Sequence, residues 1–443
     1  MRTSRACRGP FRRAVSAVPT RLVPLLLGFL SIGVPAAVEA EPGVPTPWEL
    51  APTQSTASWL RDPGAYPVGA RPVGVQGCAR SVGCHPLANG LWFRGEYLVW
   101  WNKAADLPPL ATTSPPGTPI EEAGVLGFPD TDVLSAPDRG GAGVRLGTRL
   151  TLGWWFSPCQ VWGVESTYTS LRGDTARRRF TSEEHRILSR PFFNVQSLEE
   201  DAVVLAYPER REGAFQTDLS HRFDSVEVLF RRAVFPQCDR PWYFLAGYRY
   251  ARMDEQLALE SSSTFIGALE PVPAGTLIEA TDRFHANNEF HGAQLGLATA
   301  ARYCDWSLEL TAKLGLGGTR SRVTVAGETA VTVPPGEPVT HPGGMLALPS
   351  NTGTEEQRNF AMIPELGVTV GWDLTCRLKA TLGYSFVYWN RVARPGDQID
   401  RELDPAQFPP APEQGETLPA PAPRFVVTDY WVQGLNFGLD YRF

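Results

Sequence analysis

The residues that could do chemistry begin with Ser220, His221 and Asp224, the side-chain types of a serine hydrolase. Ser220 and His221 are adjacent, and adjacent residues of a strand point to opposite faces. Within one strand they therefore cannot form a nucleophile–base pair. We predict no catalytic residue in this chain and no enzymatic activity.

Two other groups contain metal-ligand types. Cys78, Cys84 and His85 could supply three zinc ligands, but the sequence shows no fourth. In an oxidising compartment a disulfide between Cys78 and Cys84 is favoured instead. His285 and His291 lie roughly 20 Å apart on a strand, too far for one metal ion. We read the two histidines as a polar outer rim and predict no metal site or cofactor.

Residues 1–40 have the features of an export signal. Six arginines precede or open the apolar run from Leu22 to Val34, and Val38-Glu39-Ala40 is an acceptable cleavage site. Residues 41–90 are rich in Pro, Gly and Ala and predict a periplasmic linker. Without residues 1–40, 35 basic and 46 acidic residues remain, a net charge of −11. This charge argues against a nucleic-acid partner.

From Leu91 onward, apolar and polar residues alternate in segment after segment. In 305–316, Trp306, Leu308 and Leu310 share one face, opposite Ser307 and Glu309. Only a strand separates these two sets. The pattern predicts ten strands, near 91–104, 144–157, 161–171, 220–235, 242–258, 284–303, 305–322, 360–375, 377–392 and 430–443. A twelve-strand version uses 202–207 and a neighbouring segment.

The predicted connections alternate between short and long, as in an outer-membrane barrel with short periplasmic turns and long outer loops. The fold class is thus all-β, a transmembrane antiparallel β-barrel over residues 91–443. Pairs such as Trp100-Trp101, Trp154-Trp155, Tyr388-Trp389 and Tyr430-Trp431 predict aromatic belts at the membrane interfaces. Strand ten must close against strand one, because an open edge in lipid is costly.

The last strand ends on Phe443, with apolar residues at alternate positions before it. Many bacterial outer-membrane barrels end in this way. We therefore expect a bacterial outer-membrane location, membrane lipid around the barrel, and recognition of this strand by the barrel-assembly machinery.

One cysteine falls in each predicted short turn: Cys159, Cys238, Cys304 and Cys376. Our hypothesis is that the four lie on one rim and pair there, although neighbouring turns must lean together to bring the Cα atoms within about 7 Å. Free thiols are the alternative.

Several segments together resemble the beta-barrel porin-seven family of bacterial outer-membrane proteins. They run in the same order from about residue 91 to the end, and include Leu91–Trp101, Leu107–Leu110, Arg190–Phe193, Leu245–Tyr250, Asn288–Gly292, Leu348–Asn351 and Arg394–Asp400. The resemblance implies a barrel and a location, and it assigns no catalytic or ligand residue.

The strand phases point charges of both signs into the lumen. The candidate lumen-facing residues are Arg94, Glu96, Arg145, Arg149, Glu165, Glu309, Lys313, Glu365, Arg377 and Lys379, with Glu227, Arg231, Arg249, Asp373, Asp440 and Arg442 in the same phase. Such charges either pair with one another and plug the lumen, or line a water-filled pore. A barrel of ten strands is closer in size to the barrels of about eight strands whose lumen is filled by side chains than to the porins of 16–18 strands. The Arg394–Asp400 segment either folds inward to narrow the mouth or forms an ordinary turn.

The leading expectation is therefore a porin-like barrel for the passage of small solutes. The alternative is a plugged structural or adhesive barrel that displays long surface loops.

Overall fold

The computed structural model describes residues 90–134, 143–156, 160–173, 175–234, 241–267, 272–410 and 417–443. The predicted signal, nearly all of the predicted linker, and the cysteines Cys78, Cys84, Cys159 and Cys238 lie outside the described residues. Among the described helices, none is long and apolar enough to cross a membrane.

Ten antiparallel strands form a closed ring, as the alternation predicted. They are β1 Leu91–Asn102, β2 Val144–Trp155, β3 Trp162–Arg172, β4 Arg211–Ala233, β5 Trp242–Phe265, β6 Leu277–Tyr303, β7 Trp306–Thr332, β8 Gly353–Asp373, β9 Leu378–Ala393 and β10 Val427–Arg442. Each strand pairs with the next one along the chain. Strand β10 pairs with β1, with Trp92 opposite Arg442. The ten strands therefore form a closed barrel, in which the first and last strands pair with each other.

The twelve-strand version is wrong. Its extra segment falls in Glu199–Ala206, which is a strand but pairs with Leu188–Asn194 in a separate small sheet. Two further short strands only lengthen the barrel wall: Ala176–Thr181 pairs with the outer part of β4, and Val339–Pro342 with the outer end of β7.

The outward face of the ring is apolar near its periplasmic end. Trp306, Leu308 and Leu310 remain 53%, 43% and 44% exposed in the isolated chain, as a lipid-covered face requires. Farther out, the same face becomes polar. On β6 the first polar outward-facing side chain is His291, whose Nδ1 lies 2.6 Å from the Tyr248 hydroxyl. His285 follows farther out, and its Nε2 lies 3.2 Å from Asp254 Oδ1. The change marks where lipid ends.

The strands differ greatly in length. Strands β4 to β8 have 21–27 residues, whereas the other five have 11–16. About 9–11 residues suffice to cross a membrane. The predicted limits of the long strands were too short: β4 begins at Arg211 rather than 220, and β7 ends at Thr332 rather than 322. Beyond the lipid the outer face is polar, so the apolar alternation that revealed the strands fades there.

The outer connections fold into the mouth of the ring. They carry a five-stranded sheet of Thr112–Thr113, Asp132–Val133, Leu188–Asn194, Glu199–Ala206 and Glu402–Leu403, and the 3-10 helices Gly396–Gln398 and Pro405–Gln407. Residues of this sheet, such as Leu188, Phe192 and Leu205, are buried in one cluster with the inner faces of the long strands, for example at Phe215 and Phe284. We call these inward-folded connections the loop plug.

Candidate functional site

The periplasmic part of the lumen holds a cavity of about 510 Å³, which we call the vestibule. Residues at the periplasmic strand ends, such as Leu91, Arg302 and Phe443, line it. Seven of the ten charges predicted to face the lumen also line it: Arg94, Glu96, Arg149, Glu165, Glu309, Lys313 and Glu365.

Ion pairs that cross the lumen hold the vestibule walls together. Arg94 of β1 donates to Glu309 of β7 across the ring at 2.8 Å, and also to its direct neighbour Asp440 at 2.9 Å. Lys313 Nζ lies 2.7 Å from a carboxylate oxygen of Glu227. The mixed charges predicted from the strand phases thus pair with one another.

The other three predicted charges lie elsewhere. Lys379 is buried beside the vestibule and lies 3.6 Å from Glu309. Arg145 is buried nearer the outer end of β2, where its Nε donates to Asn102 Oδ1 at 3.3 Å. Arg377 instead lies exposed in the turn before β9, one residue outside the strand that was predicted to include it.

The two described turn cysteines, Cys304 and Cys376, are both disulfide-bonded. This is the state that the rim hypothesis expected of them, and free thiols are ruled out at these two positions.

Above the vestibule, a layer of rings closes the lumen. We call it the aromatic layer: Trp100, Phe223, Phe290, Trp389 and Tyr430, at 0–1% exposure. The Trp389 ring meets Phe223 and Phe290 edge to face, with centroids 6.5 and 6.1 Å apart. Both indole N–H groups are satisfied, because Trp100 donates to Asn436 Oδ1 at 2.7 Å and Trp389 to Thr319 Oγ1 at 2.9 Å.

The aromatic layer corrects the predicted membrane belts. Trp100, Trp389 and Tyr430 were assigned to belts together with their chain neighbours. Adjacent residues face opposite sides of a strand, so only one member of each pair can meet lipid. The other member points inward and fills the lumen.

A buried polar cluster lies on the outer side of the aromatic layer. Arg394 donates to both carboxylate oxygens of Glu255, at 2.9 and 2.8 Å. His221 Nδ1 lies 2.9 Å from Glu255 Oε1, and the Tyr430 hydroxyl lies 3.0 Å from His221 Nε2. All four side chains are buried, so this Glu–His–Tyr chain orients Arg394 rather than meeting a substrate. The Arg394–Asp400 segment therefore folds inward, the first of its two predicted alternatives.

Farther out, Arg190 and Asp282 fix the loop plug to the barrel wall. Arg190 Nη2 donates to Asp282 Oδ2 at 2.9 Å, and the side chains are 1% and 0% exposed. Asp282 Oδ1 accepts three successive backbone N–H groups, from Met345 to Ala347, at 2.8–2.9 Å. A carboxylate this deeply buried requires hydrogen bonds to both of its oxygens, and Asp282 has them.

One carboxyl group of the plug is less well paired. Asp397 lies in the helix Gly396–Gln398, and its Oδ2 is buried without a hydrogen-bond partner among the described residues. Burial raises the pKa of Asp397 to about 6. The negative charge of Asp106 also raises this pKa, whereas the positive charge of Arg394 lowers it.

A family model described as "Putative beta barrel porin-7 (BBP7)" matches residues 92–443. The chain belongs to this family. A porin-7 barrel is a protein of the bacterial outer membrane, which agrees with the lipid-facing outer surface of the ring.

Among the solved structures that match the chain, the following three have low similarity to it. The outer-membrane protease OmpT of Escherichia coli has a TM-score of 0.38 at 10% identity, over 82% of this chain and 99% of its own. The Pseudomonas putida toluene transporter TodX scores 0.20 at 8% identity, over 82% and 95%. The monoaromatic hydrocarbon channel CymD scores 0.17 at 8% identity, over 83% and 94%. Similarity at this level carries no conclusion about activity. No protein of curated function matches the chain.

The segments that carry the resemblance to the porin-7 family concentrate in the closure of the lumen. Arg190–Phe193 and Leu348–Asn351 belong to the loop plug, Asn288–Gly292 supplies Phe290 to the aromatic layer, and Arg394–Asp400 holds Glu255. Of these segments, only Arg394–Asp400 was predicted to fold inward, as one of two alternatives. Within the described chain, no group of three His, Cys, Asp or Glu side chains is arranged to hold a metal ion.

Proposed function

We propose that this porin-7 barrel is closed in its resting state and acts as a structural barrel that presents its tall outer wall, β4 to β8, to the exterior. The aromatic layer carries this proposal, because fully buried rings from β1, β4, β6, β9 and β10 meet across the lumen. The long connections fold inward as the plug. The surface available to other molecules is thus the strand wall rather than a set of projecting loops.

Energetics support a closed resting state. Opening the lumen means exposing the aromatic layer and separating Arg394 from Glu255. Breaking a buried ion pair costs about 3–5 kcal/mol when one charge is left unpaired. That cost would hold the open form to a small minority.

Passage of small solutes is the second candidate, and the vestibule favours it. A polar solute already has an open route from the periplasmic side to the level of Glu365. Passage would then need only the displacement of the aromatic layer and the Arg394 segment.

Single-channel recording in planar bilayers tests the proposal. The wild-type protein is expected to give no steps beyond the protein-free control. The double variant Trp100→Ala/Trp389→Ala removes two rings from the layer and is expected to conduct. Trp372→Ala is the matched control, because this ring faces outward and is 49% exposed.

Heat-modifiable gel mobility confirms that each variant is a folded barrel before it is recorded. Regular wild-type steps, together with liposome swelling that depends on sugar size, would overturn the closed-barrel proposal and leave passive passage as the function.

A further inference from the structure

Among the described residues, two arginines at the mouth of the vestibule have no acidic partner. Arg302 near the end of β6 and Arg442 at the end of β10 both line the cavity. Of the ion pairs formed by described residues, none includes either of them, whereas Arg94, Arg231 and Lys313 each contact a carboxylate. Lys379, beside the vestibule, is paired with Glu309 at 3.6 Å, so Arg302 and Arg442 are the two arginines left at the mouth.

The side chains of the lining include slightly more cations than anions: six Arg and Lys side chains and five side-chain carboxylates surround the cavity. The carboxylates are engaged deeper in the lumen, where Glu309 and Asp440 bind Arg94. A solute entering from the periplasm thus meets uncompensated positive charge first, and the weakly solvated cavity walls strengthen its attraction for anions.

Flat aromatic surfaces lie beside these cations. Trp92, Trp155 and Tyr243 line the same cavity. Arg231 is wedged between Trp155 and Tyr243, 5.3 and 5.0 Å from their ring centres, and is fixed by Glu165 at 2.6 Å. Arg231 is therefore occupied, and Arg302 and Arg442 remain as the available donors.

From this arrangement we propose that the vestibule binds a small planar organic carboxylate from the periplasm. Arg302 and Arg442 would hold the carboxylate, for which a guanidinium is the natural partner. Trp92 and its aromatic neighbours would cover the flat part of the molecule. The cavity volume of about 510 Å³ lies within the usual range of small-molecule sites, roughly 300–1,000 Å³. This site does not depend on whether the lumen conducts, because the residues that form it lie on the periplasmic side of the aromatic layer.

Calorimetric titration of the full processed chain in detergent, with benzoate as the probe, tests the site. Wild type is expected to bind benzoate saturably at one site per chain, and uncharged benzamide not at all. The double variant Arg302→Gln/Arg442→Gln should lose about tenfold or more in affinity, since it removes two charge-assisted contacts.

Arg377→Gln is the matched control, because Arg377 is exposed on the same rim but does not line the cavity. It should bind benzoate as wild type does. The proposal is overturned if wild type shows no saturable binding, if Arg377→Gln weakens binding as much as the double variant, or if inorganic phosphate binds as tightly as benzoate, since that would be a plain anion site. Gel mobility before and after heating shows whether each variant is folded, and bilayer conductance is scored separately.

Discussion

The outer and periplasmic halves of the lumen are enclosed by the same ring of strands but are filled differently. In the outer half, apolar side chains and loop segments interlock, and the ion pairs Arg394–Glu255 and Arg190–Asp282 are removed from water. In the periplasmic half, charges pair around an open cavity. The outer half alone therefore closes the lumen. Removal of one charge of an ion pair is expected to lower stability more in the outer half than in the periplasmic half.

Arg394→Ala should have the largest effect. It leaves Glu255 buried with only His221 and is expected to lower the free energy of unfolding by about 3–5 kcal/mol. Urea titration in phospholipid vesicles measures this loss. The compensated variant Arg394→Met/Glu255→Leu should recover most of it, since both buried charges are then gone. Equal losses in the two variants would show that Arg394 stabilises the plug by packing rather than by charge.

Glu309→Gln makes a similar change in the vestibule and should cost less, about 1–2 kcal/mol. Glu309 is 24% exposed and lines the open cavity, so in the variant Arg94 keeps Asp440 and can be reached by solvent. The same urea titration provides the comparison. A loss as large as that of Arg394→Ala would mean that the two halves do not differ in solvation.

Asp397 makes the loop plug sensitive to pH. Its folded pKa of about 6 lies above its ordinary value of 3.8, so between about pH 4 and 6 the folded state holds more protons than the unfolded state. Stability should therefore fall as the pH rises through this window and stay lower above it. The charged groups that act on Asp397 are Arg394, Asp106, Lys103 and Glu255.

Unfolding midpoints from pH 4 to 8 measure this dependence as the difference between wild type and Asp397→Asn. The variant should lack the Asp397 contribution and be more stable than wild type above pH 7. Asp106→Asn should lower the pKa of Asp397, because it removes a negative charge that disfavours ionisation of Asp397. The fall in stability should then occur at lower pH. Parallel profiles for wild type and Asp397→Asn would show that Asp397 is ionised throughout.

Glu356→Gln on the outer wall should have the smallest effect, a shift of the urea midpoint no larger than the scatter between repeated titrations. Glu356 contacts Arg320 at 2.6 Å and Arg322 at 3.3 Å on the polar outward face above the lipid, where water and salt screen ion pairs. A titration at low and high salt checks this expectation. A loss comparable to that of Glu309→Gln would mean that the wall is not solvated as described.

The sequence predicted the features of the barrel that depend on alternation along one strand. The lipid-facing phase of Trp306, Leu308 and Leu310, the ring of ten and its closure by β10 all follow from that local pattern. The outer strand ends were not predicted, because the outward face is polar there and apolar residues such as Phe215 and Phe284 face inward instead. Arg377 was misassigned because a shift of one residue at a strand end takes it out of the lumen.

The closure of the lumen could not be predicted in this way. Arg190, Asp282 and Met345 come from three separate parts of the chain and meet only because the ring brings their strands together. Inward aromatics such as Trp100 have the same residue type as belt aromatics, and only the strand phase distinguishes them. A stricter use of that phase would have placed Trp100 inside.

Because the strands differ in length, the wall of the barrel outside the membrane is taller on one side than on the other. The five long strands are neighbours in the ring, so the extra height stands on one half of the circumference only. A macromolecule approaching the cell from the short side reaches the plug directly, whereas one approaching from the opposite side meets a hydrophilic β-sheet first. Rotation of the barrel within the membrane plane therefore changes which of these two surfaces faces a given neighbour.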